Sequence, residues 1–134
     1  MLKKPIVIFI IAFLLNWVWE NSHSFLYIHY QSEVITQLIL LRAALFDAVF
    51  ITLMSVLFWR VGYFKKRLWY ALIPGFVFAV LLEQWALATN RWAYSDQMPI
   101  IPWLEVGLTP AIQLGITAYF AYKMAIQIRR IINI

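Results

Sequence analysis

The sequence predicts an all-α integral membrane protein: a four-transmembrane-helix bundle with both termini cytoplasmic, no sheet and no soluble domain. Of its 134 residues, 64% are hydrophobic and only 13% are charged. A typical soluble domain is roughly 45–50% apolar and about 25% charged. Four apolar segments are also long enough to cross a hydrocarbon core, which takes about 20 helical residues. Finally, the basic residues are concentrated on one side of these segments.

The four predicted spans follow the apolar segments within a single domain, residues 1–134. They cover about residues 5–28, 43–62, 68–89 and 110–130. No small-residue cleavage site follows the first apolar run, so that run is interpreted as an uncleaved signal-anchor helix. Pro74-Gly75 is expected to bend the early part of the third span. Thr109-Pro110 favours the start of the fourth, with the threonine as N-cap.

An interfacial loop on the outer side is predicted for residues 90–109. The segment is too apolar for a loop in water, and its prolines argue against a crossing helix. Two interpretations remain open. The loop is either a lid over an outward-facing pocket or an aromatic anchor in the membrane interface.

The distribution of charge predicts the orientation. Nine of the 11 lysines and arginines flank the N-terminus, the loop between spans two and three, and the C-terminus. By the positive-inside rule these regions are cytoplasmic. Arg42, Arg91 and all six acidic residues fall on the other side. We therefore expect a multi-pass protein of the cell membrane with lipids as neighbours. Nucleic acid is not an expected partner, because the basic residues border apolar segments instead of forming one patch.

The composition excludes several chemistries. Without cysteine there is no disulfide scaffold, thiolate nucleophile, cysteine-ligated zinc or iron–sulfur cluster. Four glycines do not form a glycine-rich phosphate loop. No cofactor is predicted.

Polar residues recur along the first apolar segment. Asn16, Glu20, His23, Tyr27 and Tyr30 follow one another at spacings of 4, 3, 4 and 3. That rhythm is typical of one helix face, so the helix is predicted to continue toward Tyr30. Because lipid is an unfavourable neighbour for glutamate and asparagine, this face is expected to turn into the bundle.

Acidic residues of the other segments are predicted to reach the same depth. Asp47 lies about one and a half turns inside span two, Glu83 about two turns before span three ends, and Glu105 just before span four. Glu20 and Glu83 are the leading catalytic candidates, with Asp47 and His23 supporting them. The candidate ligand-binding residues are Asn16, Trp19, Tyr27, Tyr30, Trp85, Arg91, Tyr94, Glu105 and Gln113. A second interpretation keeps all these groups as interhelical hydrogen-bond partners or solvated loop residues.

Three chemistries suit such a cluster. Two close carboxylates in a water-excluding pocket cannot both stay ionised, so one would hold a proton for an isomerase- or cyclase-type reaction. Metal binding is the second: Glu20-x-x-His23 has the i, i+3 form of dimetal bundles, but these use two such motifs and the chain has one. No metal is therefore predicted. Proton-coupled transport is the third, and four short helices would need a homo-oligomer for it.

The function expected from the sequence is binding of a lipid-like or small apolar ligand in an outward-facing pocket, by an enzyme or by a pure binder. The alternatives are a small transporter or channel subunit and a membrane scaffold. In outline, four membrane helices with acids in an aromatic pocket resemble the EXPERA domain of sterol isomerases and related sterol-binding proteins. The composition is also similar to the small membrane subunits of lycopene cyclases. This likeness covers no motif, so no site residue is transferred from it.

Overall fold

The computed structural model describes residues 3–132, in which four long helices form a bundle. The helices are α1 (Lys3–His23), α2 (Gln37–Arg60), α3 (Gly62–Lys65), α4 (Leu72–Ala88) and α5 (Leu108–Ile131). The strands are β1 (Tyr27–Tyr30), β2 (Trp92–Tyr94), β3 (Ile100–Ile101) and β4 (Val106–Gly107). Short 3-10 turns precede β1 and α4, at Ser24–Leu26 and Leu68–Ala71.

Contacts at both ends show that neighbouring helices run antiparallel. Lys4 Nζ lies 3.6 Å from the centre of the Trp59 ring, so the start of α1 meets the end of α2. The Gln37 side-chain amide donates to Asn21 Oδ1 at 2.7 Å, which joins the other ends of the same helices. The strands all lie at one end of the bundle, here called the hairpin end. The opposite end, with the first residues of α1 and the last of α5, is called the terminal end.

Helix α1 packs against α2 and α5, and α4 packs against α5. The α4–α5 crossing is close because Gly75 faces Gly115: a Cβ added to Gly75 would lie 2.5 Å from the Gly115 Cα. Pro74 sits in the first turn of α4, where its missing N–H removes no helical hydrogen bond. Between α2 and α4, Phe50 stacks on Phe78 with ring centroids 4.3 Å apart.

Three helical segments are long and apolar enough to cross a membrane: Lys4–Leu26, Gln37–Arg60 and Leu68–Ala88. Large apolar side chains cover the outer surfaces of these segments. For example, Val18 is 66% exposed and Leu53 is 63% exposed. A water-soluble protein rarely exposes such a continuous apolar surface. The prediction of a mainly helical protein with helices apolar enough to cross a membrane is confirmed for these three segments. Helix α5 is as long as α2 but less apolar.

The expectation of a chain without sheet is wrong. Helix α1 ends at His23 and does not continue toward Tyr30, because Tyr27–Tyr30 forms β1 and pairs antiparallel with Trp92–Tyr94. Aromatic residues favour such extended pairing. The pairing also supplies backbone hydrogen bonds that a chain leaving a helix must find elsewhere. Strands β3 and β4 form a second antiparallel pair.

The predicted N-cap of the last helix is also wrong. Helix α5 begins at Leu108, after Gly107 in the N-cap position, so Thr109 is already helical. The Thr109 hydroxyl instead lies 2.9 Å from Nδ1 of His23 on α1. The Thr109 hydroxyl oxygen, which was expected to cap α5, therefore contacts a side chain of another helix instead.

Candidate functional site

A polar network joins α1, α2 and α5 in the half of the bundle nearer the hairpin end. Nε2 of Gln113 lies 2.8 Å from Glu20 Oε1, 2.9 Å from Asp47 Oδ2 and 3.1 Å from Asn16 Oδ1. An amide NH₂ has only two hydrogens for these three acceptors. The Thr117 hydroxyl lies 3.2 Å from the Asn16 oxygen and can donate to it. All three acceptors are therefore satisfied when Gln113 donates to both carboxyl groups.

Glu20 continues this network toward the hairpin end. Its Oε2 lies 3.3 Å from Nε2 of His23, whose Nδ1 is the nitrogen that contacts Thr109. A neutral imidazole donates from one nitrogen and accepts at the other. His23 therefore links the Glu20 carboxyl to the first turn of α5. Among residues 3–132, no lysine or arginine side chain forms an ion pair with a carboxyl group that the structure shows.

Glu83 is held separately, from the sheet. Trp92 Nε1 donates to its Oε2 at 3.1 Å, and the Tyr94 hydroxyl donates to the same oxygen. Strand β2 thus places two donors beside one oxygen of a buried carboxyl group. The other oxygen, Oε1, accepts no hydrogen bond from the described residues and is not sealed within the protein. One oxygen of Glu83 therefore has no hydrogen-bond donor among the described residues.

Tyr27 and Tyr94 of the β1–β2 sheet stay protonated beside these acids. Burial, followed by the nearby Glu83 carboxylate, raises the pKa of Tyr94 above its ordinary value. The same two causes, in the same order, raise the pKa of Tyr27. The Tyr27 ring meets the rings of His23 and Tyr94 edge-on, each at 5.4 Å between centroids. Tyr94 is therefore a hydrogen-bond donor to Glu83, and Tyr27 contributes aromatic surface.

These groups border a cavity of about 370 Å³. Helices α1, α2, α4 and α5 form its walls, and the β1–β2 sheet covers it at the hairpin end. Glu20, Asp47, Glu83 and Gln113 supply polar groups from four different helices. Most of the remaining wall is apolar, with Leu40 among its buried members.

The cavity opens sideways, between α2 and α4. Its most exposed lining side chains are Arg42 and Phe46 of α2 and Trp85 of α4. The other lining residues are buried or half-buried. Toward the terminal end, the Phe50–Phe78 stack closes the gap between the two helices. The opening therefore faces the flank of the bundle, where exposed apolar side chains such as Phe46 lie near Arg42.

The structure brings together all four candidate catalytic residues. Glu20, Asp47 and Glu83 line the cavity, and His23 lies directly behind Glu20. Gln113 is the side chain that joins two of these carboxyl groups. Their convergence follows from the helix face and the chain direction, but their predicted catalytic role remains a prediction.

Seven of the nine candidate ligand-binding residues lie in the cavity wall or directly behind it. The cavity wall contains Tyr27, Tyr30, Trp85, Arg91 and Gln113. Asn16 and Tyr94 lie behind the wall as partners of Gln113 and Glu83.

Two candidates lie away from the cavity. Trp19 does not line it, and its indole N–H is buried without a hydrogen-bond partner among the described residues. Glu105 is exposed in the turn between β3 and β4, with φ of 56°, because the chain reverses there before α5 begins. Glu105 therefore lies outside α5, and its spacing of four residues from Thr109 is not a spacing along the helix.

Several site residues were missed in the sequence. Arg42 was noted only because it departs from the charge asymmetry, although that departure already indicated a candidate site residue. Thr109 and Thr117 lie four residues on either side of Gln113, and all three contact α1. Trp92 gave no signal of its own, because its contact with Glu83 depends on the strand pairing.

Within residues 3–132, no group of three or more histidine and acidic side chains is arranged to hold a metal ion. Comparisons of this chain with protein-family models, curated proteins and solved structures find no match.

Proposed function

We propose that the chain is a four-span protein of the cell membrane that holds a lipid-like or small apolar ligand in this cavity. The observation that carries the proposal is the cavity itself, which combines apolar walls, converging polar groups and an opening on the apolar flank. Its volume of about 370 Å³ falls in the range of roughly 300–1,000 Å³ that is typical of small-molecule sites.

The proposal includes α5 as the fourth span. At 24 residues the helix is about 36 Å long, enough to cross a hydrocarbon core of about 30 Å. Its polar side chains Gln113 and Thr117 are buried against α1 and do not face outward. With four antiparallel spans, the basic segments lie at the terminal end, which we assign to the cytoplasm.

The carboxyl groups give the cavity its proposed chemistry. Glu20 and Asp47 share the amide of Gln113, and no described lysine or arginine side chain pairs with either. A carboxyl group of such a pair that holds a proton can donate it to a ligand hydroxyl, carbonyl or double bond, while Glu83 presents Oε1 to the same space. Retention of a ligand needs only the hydrogen bond, and an isomerase or cyclase would transfer the proton.

Transport is less well supported. From the cavity to the terminal end, the bundle is filled by the Phe50–Phe78 stack and by Ile8, Ile51 and Tyr122, each of these three no more than 1% exposed. A transport cycle would have to separate this packing. A scaffold protein, in turn, has no need of a cavity into which polar groups converge. Ligand binding, by contrast, requires no separation of this packing. It also accounts for the cavity and for the polar groups that converge in it.

Lipid extraction from the purified protein, followed by mass spectrometry, tests the proposal. Ala43→Phe adds a ring to the cavity wall, and Val49→Phe adds the same kind of bulk on the exposed flank of the same helix. We expect a copurifying apolar molecule in the unaltered protein and in Val49→Phe, and its loss in Ala43→Phe. Recovery of the same molecules in all three, or of none in any, would contradict ligand binding in the cavity.

The carboxyl groups need a separate test. Glu20→Gln and Glu83→Gln are expected to leave the protein folded and to reduce retention of the copurifying molecule. Glu33→Gln changes an exposed acid outside the cavity and serves as the control. If all three variants retain the molecule equally, the carboxyl groups take no part in binding it.

A further inference from the structure

The two arginines that lie away from the basic end both border the cavity opening. Arg42 lies on α2, and Arg91 follows the end of α4, yet both line the same cavity. The other basic residues flank the terminal end and serve as orientation signals. The positive-inside rule does not explain Arg42 and Arg91, because it favours basic residues on the cytoplasmic side and these two are assigned to the opposite side.

Neither guanidinium group donates a hydrogen bond or forms an ion pair within the described part of the chain. Arg42 makes no side-chain hydrogen bond and no ion pair there, although three carboxyl groups line the same cavity. Arg91 lies over the Trp85 ring, with its guanidinium carbon 4.6 Å from the ring centre. Such stacking orients the guanidinium plane and leaves its N–H donors free. Two arginines therefore present free donors where a ligand would enter.

We propose that Arg42 and Arg91 bind the anionic headgroup, a phosphate or a carboxylate, of a membrane amphiphile whose chain lies along the apolar cavity wall. The inference rests on the proposed function and names the class of ligand. The fork of N–H donors in arginine matches phosphate and carboxylate oxygens in pairs. Arg42 precedes Asp47 by five residues, about 7.5 Å along α2. The headgroup would therefore sit nearer the hairpin end, and the carboxyl cluster would meet the part of the ligand that follows it.

The surroundings of the opening favour an amphiphile over an anion from water. Phe46 is 49% exposed at the edge of the opening, and Val49 and Leu81 are exposed on the adjoining faces of α2 and α4. A bilayer covers such side chains with acyl chains, so a ligand can move sideways from the membrane into the cavity. Apolar side chains at the opening would not favour the binding of a small water-soluble anion.

Binding of radiolabelled dodecyl phosphate to the full chain, purified in a neutral detergent, tests the inference. Dodecanol provides the same chain without the charge, and inorganic phosphate provides the charge without the chain. We expect Arg42→Gln and Arg91→Gln each to weaken binding of dodecyl phosphate about tenfold, the effect of losing a hydrogen bond to a charged group. Dodecanol binding should not change. Arg67→Gln removes the same charge beside Tyr63, outside the cavity, and should bind as the unaltered protein does.

The possible results separate this inference from the proposed function. Equal binding of dodecyl phosphate and dodecanol, unaffected by the arginine variants but lost in Ala43→Phe, would overturn the inference and leave the cavity as a ligand site. Displacement of dodecyl phosphate by inorganic phosphate at similar concentration would identify a free anion as the ligand. Failure of Ala43→Phe to affect either amphiphile would remove the proposed function as well.

If a glutamine variant unfolds, Arg42→Lys and Arg91→Lys provide a second test. They retain the positive charge without the paired N–H donors of the guanidinium group and should give a smaller loss of binding. Unchanged binding would overturn the inference.

Discussion

The side-chain amide of Gln113 donates to the Asp47 carboxyl at 2.9 Å, a contact between residues 66 positions apart. Both side chains are buried, and among the described residues Gln113 supplies the only N–H group that donates to the Asp47 carboxyl. The contact ties α5 to α2 across the inner wall of the cavity. It also makes the position of one acid depend on a single amide, so the two residues should behave as a unit.

Gln113→Leu is expected to lower the free energy of unfolding by about 1–3 kcal/mol, because it leaves buried acceptors without their donor. Chemical unfolding in detergent measures the change, with Gln97→Leu at an exposed position as the control. Combining Gln113→Leu with Asp47→Leu should destabilise less than the sum of the single changes, since the unpaired acid is then absent. Strictly additive losses would show that the two side chains act independently.

Tyr94 is expected to resist ionisation in alkali. Burial and the Glu83 carboxylate both disfavour the phenolate, so its pKa is raised and the proton is retained at a pH where an ordinary tyrosine has lost it. At about pH 11, one unit above the usual tyrosine pKa, Tyr94→Phe should show the same tyrosinate absorbance as the unaltered protein. Loss of the absorbance of one tyrosine would contradict this. Glu83→Gln removes one of the two causes and should bring the pKa of Tyr94 partway down.

The proposed orientation predicts the behaviour of reporter fusions. Alkaline phosphatase joined after Lys66 should be inactive, because this residue lies at the terminal end between α3 and α4. The same enzyme joined after Asp96, at the hairpin end, should be active because the enzyme requires export. A fusion after Arg130 provides a second position expected to be inactive. An active fusion at Lys66 would reverse or disprove the topology.

Helix periodicity and chain direction predicted a common depth for Glu20, Asp47 and Glu83, which line one cavity, but wrongly included Glu105. Asn16, Glu20 and His23 share one helix face, and any antiparallel neighbour must pass that face. Asp47 was assigned to the same depth by counting turns from the start of its helix. These are local properties of a helix, so the sequence contains them in full.

The strand pairing and the cavity opening were not predictable in the same way. Tyr27–Tyr30 is apolar and aromatic and continues the helical spacing, and only pairing with Trp92–Tyr94 makes it a strand. That partner is more than 60 positions away. The opening between α2 and α4 depends on which helices pack together, which no local pattern determines. The importance of Arg42 depends on this packing.

The glycine contact between α4 and α5 gives the sharpest prediction about the fold. A Cβ on Gly75 would lie 2.5 Å from backbone atoms of Gly115, which cannot move as a flexible side chain would. Gly75→Ala should therefore push the helices apart and destabilise the protein by about 1–3 kcal/mol, the usual effect of overpacking. Gly62→Ala is the matched control, because its Cβ would meet nothing within 4 Å and alanine favours the helix. Thermal unfolding of both variants should show a loss only for Gly75→Ala. Equal unfolding temperatures would mean that the two helices do not approach through these glycines, and the α4 wall of the cavity would then have to be placed differently.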